Sequence, residues 1–328
     1  IHEVPGYEAD DVIGTIARAA TRQGVDTVIF TGDSDTLQLV SPHVRVLMTT
    51  GFGDQKLYDE NAVRERYGGL EPSQQIEVKA LKFGSGVEVV KGDLSKPETL
   101  GAAFAGVDKA FVLSAAGPDL VTLEGNAYDA AKRAGIKHIV KLSAFGVETD
   151  IMPGAPGMKW HNESERRLRA LGTAWTILRP GPFASNVINF WGIKQRGGLF
   201  LPTGNGKDPQ IDPRDIAAVA VKVLATPGHE EKIYELTGPE LLSYAEVVQK
   251  IAAVTGKPLK FVDVPVAAWS QEMLGAGFPP PMVDTLLVYF ASVKAERWYV
   301  TSTVPDLLGR PARTFDQWAK DHATVLRS

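Results

Sequence analysis

The 328-residue chain contains no cysteine. That absence excludes a disulfide framework, a thiolate zinc site and a cysteine nucleophile, and it suits a reducing interior, so a cytoplasmic location is expected. Long apolar runs are missing too. The chain opens at Ile1 with neither an initiator Met nor a basic-then-apolar leader, so neither secretion nor contact with a membrane is expected. Nor is there an excess of positive charge. Against 39 acidic residues stand 35 basic ones, for a net charge of -4, a balance with no general attraction for phosphate that argues against DNA as a partner. What remains is an ordinary globular composition, 44% apolar and 23% charged, with length enough for two cores.

Charge is uneven along the chain. Residues 1 to 82 hold thirteen acids against eight bases, which leaves the remainder near neutrality. In this front stretch Ala9 to Ala20 has helical spacing (Val12, Ile13, Ile16, Ala17, Ala20). Asp26 to Thr31 is a β-rich run closed by Gly32, and Val44 to Thr49 is a second strand. After Lys82 strands alternate with helices. Strands are expected at Val87 to Val90, Lys109 to Leu113, His138 to Leu142 and Trp175 to Leu178, and helices at Pro97 to Ala105, Leu120 to Ala134 and His161 to Leu171. Such alternation predicts an α/β fold, a Rossmann-like parallel sheet with helices on both faces. Beyond Pro180 come a helix over Asp212 to Ala225, a strand Lys232 to Leu236, a helix Ser243 to Thr255 and a last helical region toward Arg327. Met152 to Gly157 and Gly275 to Pro281 are rich in breakers and read as loops.

The front stretch carries carboxylates at element ends: Glu8, Asp10 and Asp11 at the start of its helix, Asp33 and Asp35 just after its first strand. Hard divalent cations bind carboxylate oxygens, and two such ions can hold the attacking and leaving oxygens of phosphodiester hydrolysis, so these residues suit magnesium. Acids in a first helical turn also act as caps, and the spacing leaves both readings open. Val4-Pro5-Gly6-Tyr7-Glu8-Ala9-Asp10-Asp11-Val12, Thr31-Gly32-Asp33-Ser34-Asp35-Thr36-Leu37-Gln38-Leu39 and Tyr67-Gly68-Gly69-Leu70-Glu71-Pro72 closely resemble the middle of the 5′-nuclease domain of bacterial DNA polymerase I. The resemblance covers residues 1 to 82 and implies a partial, PIN-like nuclease fragment in which those carboxylates bind metal. Its pattern also calls for an upstream strand with further Asp ligands and for a Gly-Asp-x-Ser-Asp-Asn stretch after Lys82, where Phe83-Gly84-Ser85-Gly86 stands instead. A site short of several ligands loses affinity and geometry together, so nuclease activity is expected to be absent.

From Gly86 onward the pattern changes. Gly86-Val87-Glu88-Val89-Val90-Lys91-Gly92-Asp93-Leu94, Lys141-Leu142-Ser143-Ala144, Trp175-Thr176-Ile177-Leu178-Arg179-Pro180-Gly181-Pro182-Phe183, Tyr234-Glu235-Leu236-Thr237-Gly238-Pro239 and Gly309-Arg310-Pro311-Ala312-Arg313-Thr314-Phe315 resemble the NmrA-like branch of the atypical short-chain dehydrogenase/reductases. The resemblance implies a unit over residues 83 to 328 that binds NADP or NAD and a small quinone-like molecule, with a substrate-covering region from about residue 212. It further implies that Asp93 accepts from the adenine amino group while Leu94 packs on the ring. Leu113, Ser114 and Ala115 would let the ribose approach, and Pro180 and Phe183 would meet the nicotinamide. From the residues alone, a helix cap at Asp93, a plain strand end at Leu113 to Ala115 and apolar packing of Phe183 stand as alternatives. Lys82, with Lys79, closes a second strand over Ile76 to Lys82 and offers a cation to a 2′-phosphate, which points to NADP.

The catalytic candidates are Ser143 and His161. Ser143 ends a strand where the wider family places a Ser. Anchoring on Glu165, however, puts His161 at the position of the family's motif Lys and Gly157 at that of its Tyr, so the Tyr–Lys pair is absent. Hydride transfer to a conjugated acceptor asks less of a proton donor than ketone reduction does. His161, titrating near neutrality, is a candidate proton donor or substrate ligand, with a helix-start cap as the alternative. Missing as well is the Gly-x-x-Gly-x-x-Gly turn whose amides hold a dinucleotide pyrophosphate in such families. The strand-Gly-helix before Gly86 is Val28-Ile29-Phe30-Thr31-Gly32-Asp33-Ser34-Asp35, which fits the vacant sheet position sterically but whose carboxylates repel a pyrophosphate unless magnesium intervenes. Gly204-Asn205-Gly206-Lys207 reads as a turn. The chain thus reads as a nuclease piece joined near Ile76 to Lys82 to an NmrA-like NAD(P)-dependent oxidoreductase with impaired cofactor binding. A dinucleotide sensor without turnover and a metal-dependent nuclease fragment are the alternatives.

Overall fold

A computed structural model describes residues 27–31, 41–42, 44–48, 87–89, 92–189 and 193–327. The strands are β1 (Thr27–Thr31), β2 (Ser41–Pro42), β3 (Val44–Met48), β4 (Val87–Val89), β5 (Lys109–Val112), β6 (His138–Leu142), β7 (Ala174–Pro180), β8 (Gly198–Leu201), β9 (Lys207–Asp208), β10 (Lys232–Leu236), β11 (Leu242–Ser243) and β12 (Lys260–Asp263). The helices are α1 (Gly101–Phe104), α2 (Leu120–Arg133), α3 (Pro156–Arg169), α4 (Asn186–Asn189), α5 (Ile193–Arg196), α6 (Pro213–Ala225), α7 (Tyr244–Thr255), α8 (Val266–Gly275), α9 (Pro280–Lys294), α10 (Thr303–Leu308), α11 (Phe315–Asp321) and α12 (Ala323–Arg327).

Strands rich in β-branched and aromatic residues, separated by helices, can pair in parallel only through crossovers, and that is what they do. An eight-stranded sheet runs in the order β10-β7-β6-β5-β1-β3-β2-β4, parallel except where Ser41 meets Val44. β1 lies in its middle, with Thr27 opposite Val44 on one side and Lys109 on the other. The strand from the nuclease-like stretch therefore takes the central position that the NmrA-like part lacks. The second strand expected at Ile76 to Lys82 lies outside the described residues; β3 stands beside β1, and β4 pairs with β3 rather than with β1.

Local rules account for the helix boundaries. α6 starts after Asp212, whose side chain accepts from the Arg214 amide, and α7 opens with a capping box between Ser243 and Glu246 and ends at left-handed Gly256. α3 begins at Pro156, not at His161, because a proline is preorganised for a first helical turn. The expected helix over Pro97 to Ala105 is a 3-10 turn, Pro97–Thr99, followed by the short α1, with no side-chain cap on either.

Apolar side chains cover both faces of the sheet. On one face Phe104 of α1, Tyr128 of α2 and Leu168 of α3 pack with Ala110 and Ile139 of the sheet; on the other Ile216 and Leu224 of α6 pack with Phe111, Val140 and Leu178. A third cluster, with Trp269, Phe290 and Trp318, binds α7, α8, α9 and α11 to β8. The Gly309–Phe315 stretch is tied down by buried Asp215, which accepts from Arg310 Nη2 at 2.7 Å and from the Arg313 amide at 2.6 Å. The turn over Thr203 to Gly206 lets α9 come close, since a Cβ on Gly206 would overlap the Val293 carbonyl. Among the described residues no helix is long and apolar enough to cross a membrane.

Among the described residues, the Lys141–Glu124 ion pair is entirely internal. Lys141 Nζ on β6 reaches Glu124 Oε2 on α2 at 2.6 Å, and Ser114, Tyr128 and Ser164 donate to the same carboxylate. Its geometry offsets the desolvation of two charges, but neither partner is tolerable alone. Lys141→Met is expected to cost about 3–5 kcal/mol, and Lys141→Met with Glu124→Leu to recover part of that loss; urea unfolding of the three proteins checks this.

Candidate active site

The carboxyl ends of β5, β6 and β7 line up along one sheet edge, where open α/β sheets bind ligands. Above this edge lies a cavity of about 290 Å³, near the lower limit for small-molecule sites. Ser143 and Phe145 after β6, Pro180 and Phe183 at the end of β7, Tyr289 of α9 and Trp298 are among its walls. Aromatic packing holds the walls in place. Phe145 and Trp298 stack with centroids 5.3 Å apart, Tyr289 meets Trp298 edge-on at 5.6 Å, and Trp298 Nε1 donates to Ser292 Oγ at 2.8 Å.

Beneath Ser143 lies a buried network of charge. Ser143 Oγ donates to Glu165 Oε1 at 2.6 Å. The same carboxylate accepts from Arg179 Nε and Nη2, at 3.0 and 2.6 Å, and from Arg169 Nη2 at 2.6 Å. Arg179 also holds Glu148, 2.8 Å from its Nη2. Hydrogen bonds from Arg169 and then Arg179 bring the Glu148 carboxyl down to about 2, and the Glu148 backbone has a φ of 61°.

His161 sits one turn inside α3, with its Nδ1 shut off from solvent and without a partner. Burial first, then the charges of Lys141 and Arg179, push its imidazole well below the ordinary range. The ring is therefore neutral near pH 7, and the expectation that it titrates there is revised. Gly157 donates its amide to Thr285 Oγ1 at 2.9 Å, and a Cβ on Gly157 would lie 2.8 Å from Thr285 Cγ2, so the Thr285 side chain of α9 would have to shift for any larger residue there.

The other candidates divide. Pro180 and Phe183 line the cavity with Ser143. Ser114 lies two residues beyond β5 and turns its hydroxyl to Glu124 at 3.1 Å, next to partly buried Leu113 and exposed Ala115. Asp93 is buried and accepts from the amide and hydroxyl of Ser95 at 2.8 and 2.7 Å, with Lys96 Nζ at 3.4 Å, which is the turn-capping arrangement. Leu94 is fully buried in the core and presents no surface to a ring, while its carbonyl accepts from Asn126. Lys82, Glu8, Asp10, Asp11, Asp33 and Asp35 lie outside the described residues. Among the described residues no group of three or more His, Cys, Asp or Glu is arranged to hold a metal ion. Of the expected dinucleotide contacts, Pro180 and Phe183 therefore lie at the cavity, whereas Asp93 and Leu94 are buried among their own neighbours.

α9 was not foreseen from the sequence. Its start, Pro279-Pro280-Pro281, has the composition of a loop, yet a proline at a first helical position is also a helix signal. Tyr289 of this helix backs onto a buried carboxyl: its hydroxyl donates to Asp208 Oδ2 and lies 2.7 Å from the Tyr244 hydroxyl.

Burial raises the Asp208 pKa to about 7, against hydrogen bonds that lower it. Since the folded value lies above the unfolded one, the folded state holds a proton that the unfolded state has lost. Stability from this group is complete below about pH 4 and declines as pH rises toward about 7, by about 1.4 kcal/mol per unit. Asp208→Asn removes that slope. Measured against the parent, the variant is expected to gain stability between pH 5 and 7 in urea melts; an unchanged difference would show that Asp208 stays ionised.

Comparison with known proteins agrees with this architecture. Residues 14–304 match the NmrA-like family, and the chain belongs to it. It is 40% identical over 242 residues to an NAD(P)H azoreductase of Xenophilus azovorans, covering 73% of this chain and 84% of that protein. It is also similar to DNA polymerase I of Chloroflexus aurantiacus, 56% identical over 85 residues, or 25% of this chain and 9% of the polymerase. The chain therefore joins a polymerase-like segment to an NmrA-like body. Among solved structures, an NADPH-dependent quinone oxidoreductase of Escherichia coli complexed with NADPH superposes with a TM-score of 0.67 at 21% identity, covering 89% of this chain and 98% of that one. NmrA, a negative transcriptional regulator in complex with NADP, does so with a TM-score of 0.63 at 15% identity, covering 92% and 96%.

Proposed function

We propose that this chain is an NAD(P)H-dependent reductase of a flat, conjugated acceptor such as a quinone, with weakened hold on the dinucleotide. The observation that carries this reading is the aromatic-walled cavity set directly on the carboxyl edge of the sheet, with Ser143, Pro180 and Phe183 on one side and Tyr289 and Trp298 on the other. Bound NADPH would supply a hydride there. Pro180 and Phe183 would hold the nicotinamide half, and the stacked Phe145 and Trp298 would exclude water and orient a ring. His161 is not among the residues that line the cavity and, kept neutral, would not deliver a proton as imidazolium. The relatives named as azoreductase and quinone oxidoreductase support an acceptor of this class.

The weak point is the phosphate anchor. β1 is followed in sequence by Gly32-Asp33-Ser34-Asp35 in place of a glycine-rich turn. Losing two backbone amide bonds to a charged pyrophosphate costs about 3 kcal/mol or more, over a hundredfold in Kd. The purified chain is expected to bind NADPH weakly in calorimetry and to oxidise it when menadione is added at high cofactor concentration. NADPH capture at micromolar concentration or tighter would contradict the weakened anchor. Binding without oxidation would favour the sensor reading, which the likeness to the NmrA regulator supports.

The polymerase-like segment spans 9% of its relative and belongs to a chain of net charge -4. Incubation with flap DNA and magnesium or manganese is expected to give no cleavage. Activity abolished by Asp33→Ala would establish a nuclease after all.

A further inference from the structure

We infer that Asn186 is the residue that recognises the polar atom of the acceptor, its side-chain amide donating to the oxidised form of that atom and accepting from the reduced one. The inference rests on reading the cavity as the acceptor site and names the group that gives the site its polarity.

Among the cavity walls, Ser143, Asn186, Thr285, Tyr289 and Trp298 carry a side-chain hydrogen-bond donor. All but Asn186 spend it inside the protein. Ser143 Oγ donates to Glu165 Oε1, and the Tyr289 hydroxyl to Asp208 Oδ2. Thr285 Oγ1 donates to Pro281 O at 2.8 Å, and Trp298 Nε1 to Ser292 Oγ at 2.8 Å. Asn186 is partly exposed, and its side chain has no partner among the described residues. Unlike the amide of Gln210, which is shut off from solvent, that of Asn186 is open. The backbone fixes its place. The Asn186 N–H donates to Phe183 O at 3.0 Å, and Val187 beside it is fully buried, so Asn186 is held close to the end of β7.

A ring seated against these aromatic and aliphatic walls gives up water around its oxygen or nitrogen atoms, which then need a partner from the protein. The partner must also change role during the reaction. A quinone carbonyl only accepts a hydrogen bond, whereas the hydroxyl of the reduced ring has a proton to give. A side-chain amide answers both, because Nδ2 donates, Oδ1 accepts, and half a turn about the last torsion exchanges them. A serine, threonine, tyrosine or tryptophan whose proton is already engaged cannot do so. Asn186 is thus a specificity-determining residue for both members of the redox couple.

The test is equilibrium dialysis of the whole chain, without dinucleotide, against naphthalene, which makes no hydrogen bond, 1,4-naphthoquinone, which accepts, and 2-naphthol, which donates. With no cysteine in the chain, the quinone meets no thiol. One neutral hydrogen bond corresponds to about twofold to tenfold in affinity. Asn186→Leu, close to Asn in size, is expected to weaken the quinone and the naphthol by that factor and to leave naphthalene unchanged, which shows that the walls are intact. Asn186→Asp, whose carboxylate accepts but does not donate, is expected to weaken the quinone alone. Unchanged affinities in Asn186→Leu, an equal loss for all three rings, an equal loss of quinone and naphthol in Asn186→Asp, or no binding of any ring would overturn the inference. Oxidation of NADPH by menadione in the parent chain reports separately on the reductase reading, so the two can fail independently.

Discussion

A parallel sheet cannot leave a gap at its centre, because each strand there must find hydrogen-bond partners on both sides and has no water to fall back on. In this chain that place is held by Thr27–Thr31, paired with Val44–Met48 on one side and Lys109–Val112 on the other. Without this strand, β5 to β7 with β10 and the group of β2, β3 and β4 would be separate sheets with open edges. A strand drawn from a polymerase-like segment meets the requirement because a sheet position demands length, β-branched residues and direction rather than a particular sequence. Filling the slot is a backbone matter, whereas holding a pyrophosphate depends on the turn at the strand's carboxyl end. The same substitution can therefore satisfy one and fail the other.

The second organising element is the Glu165 carboxylate. It draws together β6 through Ser143, β7 through Arg179 and the last turn of α3 through Arg169. Two cations on one buried anion satisfy the charge that burial would otherwise make intolerable. The same field reaches the neighbouring imidazole, since Arg179 and Lys141 help to keep His161 neutral. Polarity at the cavity floor is thus set from below. The aromatic walls add shape, with Tyr289 anchored from behind by Asp208 and Tyr244.

Much of the sheet was legible in advance because strands and helices after residue 100 carry strong periodicity and clear punctuation. β5, β6, β7 and β10, and the helices α2, α6 and α7, fall within a few residues of the expected spans. Less legible were elements whose signals conflict or whose partners are distant. α9 hides behind three consecutive prolines, and β8 and β12 gain their stability from pairing with each other, Leu199 beside Phe261, far apart along the chain. Of the proposed contacts, Ser143, Pro180 and Phe183 come together around one cavity, whereas Asp93 and Leu94 turn toward the protein. An Asp before a helix start suits either a ligand or the chain's own amides, and only the fold of the turn distinguishes them.

By itself the sequence determined the class of the sheet, the family of the main body, the absence of a Tyr–Lys pair and the lack of a glycine-lined phosphate turn, because each depends on residue type and spacing along the chain. Tertiary structure alone decided that β1 would take the central slot, that Thr285 of α9 would crowd Gly157, and that Ser143 would spend its proton on Glu165. Those outcomes depend on which distant groups meet. Hydrogen-bond direction and strand order are properties of pairs brought together in space, and no single residue carries them.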